Sequence, residues 1–490
     1  MLPHKTLMVS SLFVVLFSAR VLGAEFGDLL ERVPPGANVI MLIDVEQLLR
    51  SPLAKAEGSK KAYAEKYHAT PILLPPDAKR FVMAAYLPLP DVQPVWEVAV
   101  MERSLTPTMA KLARLENGHV DELGGVKVVW SPYDAYFVKF SSNLMGIISP
   151  ASRQNAKRWI EQRGAWKGGP LSAYLQKAVA LASTRPAQVV MAIDLEDAPD
   201  LKRVKSQIGS FRALENRKVD LDAVANLICS IKGLTLAIHV TDQRRGKMTI
   251  EFGQDAAPLS GFLKPFLIEA LEEFEIALKD FDEWSVSVSG GTVTFEGPLS
   301  RSGMSFIVSL LEMPSPIDAP QGLTAEQIKS TDPGAATPVA QASRAYFQSV
   351  SELLIAVNEH PRSSIWMRKT AGRIDRQPIL NVDPDLLAYS GQVSSLLRLA
   401  GATLGEGRLK ADARSAAIQP DSGYYAVGGV RGRYRRYGWA YHSTNFGEHR
   451  RIQSEERLKG VTAANDILRE IGEMTVQIRS ELAARYQGGS

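Results

Sequence analysis

The chain has 490 residues, of which 45% are hydrophobic and 22% are charged, and its formal net charge is +4. These proportions lie close to those of average globular proteins, and they exclude a collagen-like chain, a mainly disordered chain and a disulfide scaffold. The nearly neutral charge gives no overall attraction to nucleic acid or to anionic membranes, so binding of that kind must come from a local cluster of charge.

The N-terminal residues 1–23 predict a cleaved secretory signal peptide. His4 and Lys5 give a weakly basic start, residues 7–19 form a short apolar run, and small residues follow at the cleavage site. A transmembrane helix needs about 20 apolar residues, which this run and every later segment lack. We therefore expect a secreted protein, periplasmic or extracellular, whose mature chain has no transmembrane span.

Two similar segments predict an internal repeat. Residues 37–46 read ANVIMLIDVE and residues 187–196 read AQVVMAIDLE, so six of ten positions are identical at a separation of 150 residues. Each segment is a continuous apolar run that ends at an aspartate, Asp44 or Asp194. A run of this kind is typical of a strand that is buried on both faces.

The same order of elements follows each of these runs. A helical stretch precedes a first hairpin, and a further helix precedes a second hairpin and a closing helix. The predicted hairpins lie at 81–87 with 95–101 and at 126–130 with 135–140 in the first copy, and at 234–240 with 247–252 and 284–289 with 292–297 in the second. The first copy has one more predicted strand, at 144–149. This order predicts an α+β fold of two tandem pseudo-repeats, 24–180 and 181–313, each a mainly antiparallel sheet with helices packed on one face.

Beyond the repeats the sequence predicts an α-helical C-terminal region. Residues 314–343 are rich in proline and small residues and predict a linker, and residues 344–420 have helical spacing. Residues 451–490 predict an amphipathic helix. Its segment 452–486 carries a heptad-like stripe that can support self-association, formed by Val461, Ala464, Leu468, Ile471, Thr475, Ile478 and Leu482.

The segment 421–450 predicts a basic aromatic loop, in which arginines alternate with tyrosines and a tryptophan. Its candidate binding residues are Arg431, Arg433, Tyr434, Arg435, Arg436, Tyr437 and Trp439. Guanidinium groups pair with phosphate, sulfate or carboxylate groups, and aromatic rings stack on sugars or bases. Export argues against nucleic acid, which leaves an envelope polyanion, such as an anionic polysaccharide, or an acidic partner surface. The alternatives are a flexible basic loop, or an intramolecular pairing of the arginines with aromatic rings.

Carboxylate clusters elsewhere have simpler interpretations than catalysis or metal binding. Asp44 and Asp194 invite comparison with an aspartic-protease pair, but the small neighbouring residues of such a pair are missing, and both aspartates suit helix capping. Asn381, Asp383 and Asp385 alternate like the start of a calcium loop, but the required glycine and glutamate are absent. Asp383 before a proline is instead typical of a helix start.

No other motif predicts an enzyme. Cys229 is the only cysteine, so an intramolecular disulfide cannot form, and its apolar neighbours favour a buried side chain. The sequence gives no catalytic residue, cofactor or metal site. It favours a secreted, non-enzymatic binding or scaffold protein, with an envelope hydrolase or protease acting in a cleft between the two repeats as the alternative.

Two segments carry a resemblance to a known family. Residues 33–54, VPPGANVIMLIDVEQLLRSPLA, resemble the opening of an uncharacterised family of large secreted bacterial proteins with a domain of unknown function. Residues 366–387, with their Asn-Val-Asp-Pro-Asp, are similar to chains of the same kind. The resemblance implies a secreted protein and brings no catalytic residue, cofactor or substrate.

Overall fold

The computed structural model describes most of the chain beyond residue 25. The described residues are 26–57, 77–89, 94–116, 118–132, 134–161, 171–184, 187–209, 211–214, 217, 219–274, 276–311, 338–359, 361, 363–375, 377, 379, 381–416, 422–431, 434–443 and 446–487. Within 411–454 the description covers the backbone alone. The predicted signal peptide lies outside these residues.

The described residues form fourteen α-helices and fourteen strands. The helices are α1 Gly27–Leu30, α2 Val45–Arg50, α3 Pro52–Ala56, α4 Met109–Leu115, α5 Arg153–Glu161, α6 Ala173–Thr184, α7 Leu201–Ile208, α8 Leu221–Cys229, α9 Leu263–Glu273, α10 Arg301–Ser309, α11 Pro338–Glu359, α12 Ser364–Asp375, α13 Pro384–Ala416 and α14 Phe446–Gln487. The strands are β1 Val39–Asp44, β2 Ala78–Tyr86, β3 Trp96–Arg103, β4 His119–Leu123, β5 Val126–Ser131, β6 Ala135–Lys139, β7 Leu144–Ser149, β8 Val189–Asp194, β9 Ile231–Val240, β10 Arg244–Phe252, β11 Ser285–Ser289, β12 Thr292–Pro298, β13 Ser422–Arg431 and β14 Tyr434–Ser443.

Twelve of these strands form one sheet, in the order β11-β12-β10-β9-β8-β1-β2-β3-β7-β6-β5-β4. Every neighbouring pair in this sheet is antiparallel. The helices pack on the sheet and continue into a helical C-terminal region, so the predicted α+β class is confirmed. The strands β13 and β14 form a separate two-stranded sheet.

One strand of the sheet is not among the predicted ones. β4 reads His-Val-Asp-Glu-Leu and is exposed along most of its length, so it lacks the apolar alternation that marks a strand in a sequence. The hairpin of β5 with β6 forms at the predicted place. However, the strand next to β3 in the first half of the sheet is β7. Hairpin β6–β7 therefore takes the place that hairpin β11–β12 takes next to β10 in the second half.

The centre of the sheet is the antiparallel pair of β1 and β8. The opposed residues are Met41 with Met191, Ile40 with Ala192, Leu42 with Val190, Val39 with Ile193, and Ile43 with Val189. Adding 150 to the first residue number of a pair and subtracting 150 from the second gives a pair of the same set; for example, Ile40 with Ala192 becomes Val190 with Leu42. The register is therefore symmetric about Met41 and Met191.

Hydrogen bonds at the ends of β1 and β8 follow the same symmetry. The backbone N–H of Asp44 donates to the Gln188 carbonyl oxygen at 2.9 Å, and that of Asp194 donates to the Asn38 carbonyl oxygen at 2.8 Å. The side chain of Asn38 bonds to the backbone just beyond β2 at 2.7 and 2.8 Å. Gln188 Oε1 accepts from the last backbone N–H of β9 at 2.7 Å. These polar side chains therefore extend the backbone pairing of the sheet.

Helices cover both faces of the sheet, so the prediction of helices on one face is wrong. Alternate residues of β1 enter two different cores, with Met41 in one and both Ile40 and Leu42 in the other. Helices α4, α8, α9 and α10 contribute to the first core, and α1, α5 and α6 contribute to the second. Because β1 is apolar at every position from Val39 to Ile43, each face needs an apolar cover.

The C-terminal helices join the first core through α10. The ring of Phe306 on α10 lies 5.3 Å from that of Trp366 on α12, and Trp366 is 1% exposed. Lys369 Nζ donates a hydrogen bond to the carbonyl oxygen of Ser309, at the end of α10. These contacts fix the helical region on the sheet.

The boundaries of the helical region differ from the predicted ones. α11 begins at Pro338, inside the predicted linker 314–343, because proline is well suited to the first turn of a helix. The part of the predicted linker before residue 338 lies outside the described residues. In the described part of the chain, no helix combines the length and hydropathy needed to cross a membrane.

The apolar stripe of α14 is used within the chain. Ala464, Ile471 and Ile478 are buried in the same core as α13, and Val461, Leu468 and Leu482 pack against that core. Tyr389 on α13 and Thr475 on α14 share a hydrogen bond of 2.7 Å between their hydroxyl groups. The stripe already covers α13, so it is not a free surface for the self-association that was expected of residues 452–486.

Candidate functional site

The two longest helices carry the candidate binding segment at their shared end. α13 has 33 residues and α14 has 42, and the two helices pack side by side. At about 1.5 Å per residue their lengths are about 50 and 63 Å. The hairpin of β13 with β14 connects the end of α13 to the start of α14. We call α13, this hairpin and α14 the arm.

An arginine closes the arm at the end that lies away from the hairpin. Arg485 donates from Nη1 to Asp383 Oδ2 at 2.5 Å and from Nη2 to Asp385 Oδ2 at 2.7 Å. These hydrogen bonds, that to Asp385 first, hold the pKa of the Arg485 guanidinium above its ordinary value. Asp383 also accepts from the backbone N–H of Asp385 at 2.9 Å and so caps α13.

The aspartates that resembled a calcium loop therefore have protein partners. Asp383, with a side chain only 3% exposed, is paired with Arg485. Among the residues that the structure describes, no cluster of three His, Cys, Asp or Glu side chains is placed to hold a metal ion.

Two glycines set the closest approach of the helices on the way to the hairpin. A Cβ added at Gly407 would lie 3.0 Å from the Glu456 carbonyl oxygen and 3.2 Å from the Gly460 Cα. A Cβ at Gly460 would lie 3.1 Å from the Thr403 carbonyl oxygen. Side chains larger than glycine would therefore force the two backbones apart.

The predicted loop 421–450 is a β-hairpin followed by the start of α14. Ser422 lies opposite Ser443 at the helix end, and Arg431 lies opposite Tyr434 at the turn end, with ten residues on each strand. At about 3.4 Å per residue the hairpin is about 30 Å long. Its tyrosines, tryptophan and valines favour extended backbone, which explains why strands replace the expected loop.

Most of the predicted binding residues have defined places in the hairpin register. Tyr434 pairs with Arg431, and the neighbours at the same end are Arg435 opposite Val430 and Arg436 opposite Gly429. Farther from the turn, Tyr437 lies opposite Gly428 and Trp439 lies opposite Ala426. Arg433 lies outside the described residues. The arginines Arg431, Arg435 and Arg436 thus gather at the turn end.

Positive charge is concentrated in the hairpin half of the arm. Residues 408–459, between the two contacting glycines, hold eleven Lys and Arg and five Asp and Glu, a net charge of +6. The whole chain carries +4, so everything outside this segment sums to −2. A local excess of this kind attracts anionic ligands even when the protein as a whole is nearly neutral.

The matching aspartates of the two predicted repeats do not meet. Because β1 and β8 are antiparallel, Asp44 and Asp194 lie at opposite ends of the central pair, about 20 Å apart along the strands. The seam between the predicted repeats is a hydrogen-bonded strand pair rather than a cleft. The pair cannot share a proton, so this arrangement contradicts the aspartic-protease alternative.

Only one of these two aspartates caps a helix. Asp44 accepts from the Gln47 backbone N–H at 2.8 Å at the start of α2. Asp194 accepts from the Glu196 N–H at 3.0 Å within a turn, and Asp200 caps α7 instead. The prediction that Asp194 opens a helix is therefore wrong, since residues 195–200 intervene.

Cys229 lies at the end of α8 beside an open concavity. Asn226, Ser230, Gln254 and Asp255 line this concavity with Cys229, and its volume is about 440 Å³. The thiol is half-buried, less than expected for a residue in an apolar run. Burial, followed by the negative charge of Asp200, raises the pKa of the Cys229 thiol.

We expect Cys229 to react slowly with alkylating agents. The thiolate is the nucleophile, and a raised pKa leaves less thiolate at any pH below that pKa. Iodoacetamide labelling of the folded chain, followed by mass spectrometry from pH 7 to pH 10, should show a midpoint above that of the same chain in urea. A folded-state midpoint at or below the unfolded one would contradict this expectation.

Comparison with known proteins gives only distant structural similarity. No protein-family model matches the chain, and no curated protein matches it. Solved structures titled as crystal forms I and III of TP0453 align with 58% of this chain and with 97% and 98% of their own. Their TM-scores are 0.34 and 0.33, at 13% and 11% sequence identity. Values this low support no conclusion about fold or function.

Proposed function

We propose that the protein is a secreted, non-enzymatic binding protein in which the sheet is a scaffold and the arm presents a binding hairpin. The observation that carries the proposal is the net charge of +6 between Gly407 and Gly460, set against −2 for the rest of the chain. The expected ligand is an envelope polyanion or the acidic surface of a partner protein. Guanidinium groups are suited to both, since they pair with sulfate, phosphate and carboxylate oxygens.

The length of the arm supports this function. Its two helices are closed at one end by Arg485 and meet closely at Gly407 and Gly460. These contacts hold the two helices together, and the pair supports the hairpin at its other end. Preorganisation of this kind lowers the entropic cost of binding a large ligand.

Export is part of the proposal and rests on the sequence. The basic start and apolar run of residues 1–23 have the pattern of a secretory signal. A periplasmic or extracellular protein would meet anionic polysaccharides and acidic protein surfaces in its own compartment.

We also propose that the two halves of the sheet arose by duplication. The symmetric register of β1 with β8 and the equivalent hydrogen bonds of Asn38 and Gln188 support this origin. The shared polar residues extend strand pairing in both halves, so their role is architectural. Because the polar residues shared by the two halves hold the sheet together, we assign ligand binding to the arm, which belongs to neither half.

Removal of three hairpin charges tests the binding function. We expect the variant with Arg431→Ala, Arg435→Ala and Arg436→Ala to bind heparin about tenfold or more weakly than the parent chain at 50 mM salt. The slope of log K against log salt should become shallower by about one unit for each arginine that contacts the polymer. Isothermal titration calorimetry on the full chain measures both quantities.

A second variant separates local binding from net charge. Lys111→Ala, Lys127→Ala and Lys202→Ala together remove the same charge from exposed positions on the scaffold. This control should keep nearly the parent affinity, because the scaffold charges lie outside the arm. Equal losses in the two triple variants, or no heparin binding by the parent chain at low salt, would overturn the proposed function.

A further inference from the structure

The two faces of the hairpin differ in composition. Residues alternate between faces along a strand, so the register places Tyr437, Trp439 and Tyr441 on one face of β14. We call these three residues the aromatic row. Its neighbouring positions are about 6.8 Å apart, because each is two residues farther along an extended strand.

Small residues lie beside most of the aromatic row. Gly428 is opposite Tyr437, and Ala426 is opposite Trp439. These residues leave the neighbouring strand without bulk at two of the three positions. The register therefore gives this face a row of aromatic positions beside small residues, a pattern that suits a long and narrow ligand.

The arginines precede this row at the turn end of the hairpin. Arg435 is on the same face as the aromatic row, and Arg431 and Arg436 are on the other. A ligand that lies along β14 would meet positive charge first and aromatic positions next. It would need anionic groups and flat apolar surfaces in the same chain.

This order of groups argues against insertion of the tip into a bilayer. Aromatic side chains favour the membrane interface, and arginines bind anionic headgroups. Entry by the turn would carry the arginines deepest and would leave Trp439 about 17 Å behind the pair of Arg431 and Tyr434 at the turn end. A flat acidic protein surface would satisfy the arginines but would offer no ring for the aromatic row.

We propose that the hairpin binds an anionic polysaccharide whose chain lies along the face of β14 that carries the aromatic row, with sugar rings on that row and an acidic group at Arg435 on the same face. This inference rests on the proposed binding function and names its ligand class. A sugar ring has an apolar face of C–H groups that packs on an aromatic ring, and its sulfate or carboxylate groups pair with guanidinium groups. Nucleic acid offers similar chemistry, but the export expected from the sequence separates the protein from it.

The test compares two polyanions, only one of which contains sugar rings. The full chain is titrated with heparin and with inorganic polyphosphate at the same salt concentration. We expect Trp439→Leu to weaken heparin binding about tenfold, because a sugar ring loses the aromatic ring on which it stacks. Polyphosphate has no sugar ring, so its binding should be unchanged. Leucine keeps an apolar side chain that is compatible with the strand.

Two further variants keep the result interpretable. Trp439→Phe should restore most of the heparin affinity, because it returns a ring to the row. Phe274→Ala removes an aromatic side chain that is 47% exposed on the scaffold, and it should change neither affinity. Unchanged circular dichroism would show that each variant remains folded.

The outcomes distinguish this inference from the proposed function. If Trp439→Leu weakens binding of heparin and polyphosphate equally, or of neither, the polysaccharide inference fails while polyanion binding stands. If the parent chain binds neither polymer, both fail. If vesicles of anionic phospholipid bind the parent chain but not the Trp439→Leu variant, while heparin affinity stays the same, the aromatic row binds a membrane instead.

Discussion

Replacing Trp284 with alanine should lower the free energy of unfolding by about 3–5 kcal/mol, the usual cost of truncating a buried aromatic residue. Trp284 is 1% exposed, and its ring lies 4.9 Å from that of Phe281 and 5.2 Å from that of Phe295. Its indole Nε1 donates to the Pro298 carbonyl oxygen at 2.7 Å. The substitution therefore leaves a cavity and an unpaired carbonyl group.

Two glycines make room for this indole and provide a matched comparison. Gly246 and Gly297 lie opposite each other on β10 and β12. A Cβ at Gly246 would lie 2.4 Å from the Trp284 ring, and one at Gly297 would lie 2.5 Å from it. Gly246→Ala should therefore cost about 1–3 kcal/mol through overpacking.

Urea denaturation followed by circular dichroism measures these changes. Gly261→Ala is the control, because no atom lies within 4 Å of the added Cβ. It should change stability by no more than about 0.5 kcal/mol. A cost below about 1 kcal/mol for Trp284→Ala would mean that the indole is not packed against Gly246 and Gly297 as described.

A leucine at Gly407 should separate the two helices of the arm. Its Cβ would already lie 3.0 Å from the Glu456 carbonyl oxygen, and the rest of the side chain has no space between the backbones. We expect a loss of about 2 kcal/mol in the stability of the arm, since overpacking outweighs the better helix propensity of leucine. Hydrogen exchange of the amides in α13 and α14 measures the change.

The neighbouring Gly405 separates the packing effect from helix propensity. A Cβ at Gly405 meets no atom within 4 Å, so Gly405→Ala should slow exchange in the arm, with a gain of up to about 1 kcal/mol. Heparin affinity should fall with Gly407→Leu and stay constant with Gly405→Ala, because only the first displaces the hairpin. Equal protection of the arm amides against hydrogen exchange in the two variants would contradict the close approach of the helices at Gly407.

The strands of the sheet could be predicted from local patterns, but the distribution of helices over its two faces could not. The runs around Met41 and Met191 mark buried strands because every position is apolar. The hairpin strands show alternating hydrophobicity, and turn residues separate the two strands of each hairpin. The number of helices on each face depends on which helices return to which core. β4 escapes prediction because its polar residues suit an exposed edge better than a core strand.

The arm shows a second limit of local reasoning. Gly460 interrupts the apolar stripe of α14, and in the sequence it only weakens a helix. Its role depends on Gly407, which lies 53 positions earlier on another helix, and no local pattern links them. Similarly, the hairpin register, which puts Tyr437, Trp439 and Tyr441 on one face, requires knowledge that the segment forms strands.

The central position of β1 has a consequence for how the chain folds during synthesis. Its five apolar residues from Val39 to Ile43 pair on one side with β2 and on the other with β8, which is made about 150 residues later. Until β8 emerges, a nascent first half would expose β1 as an unpaired apolar edge, a template for association with other chains. Chaperones that shield such edges during translation would act on this strand first.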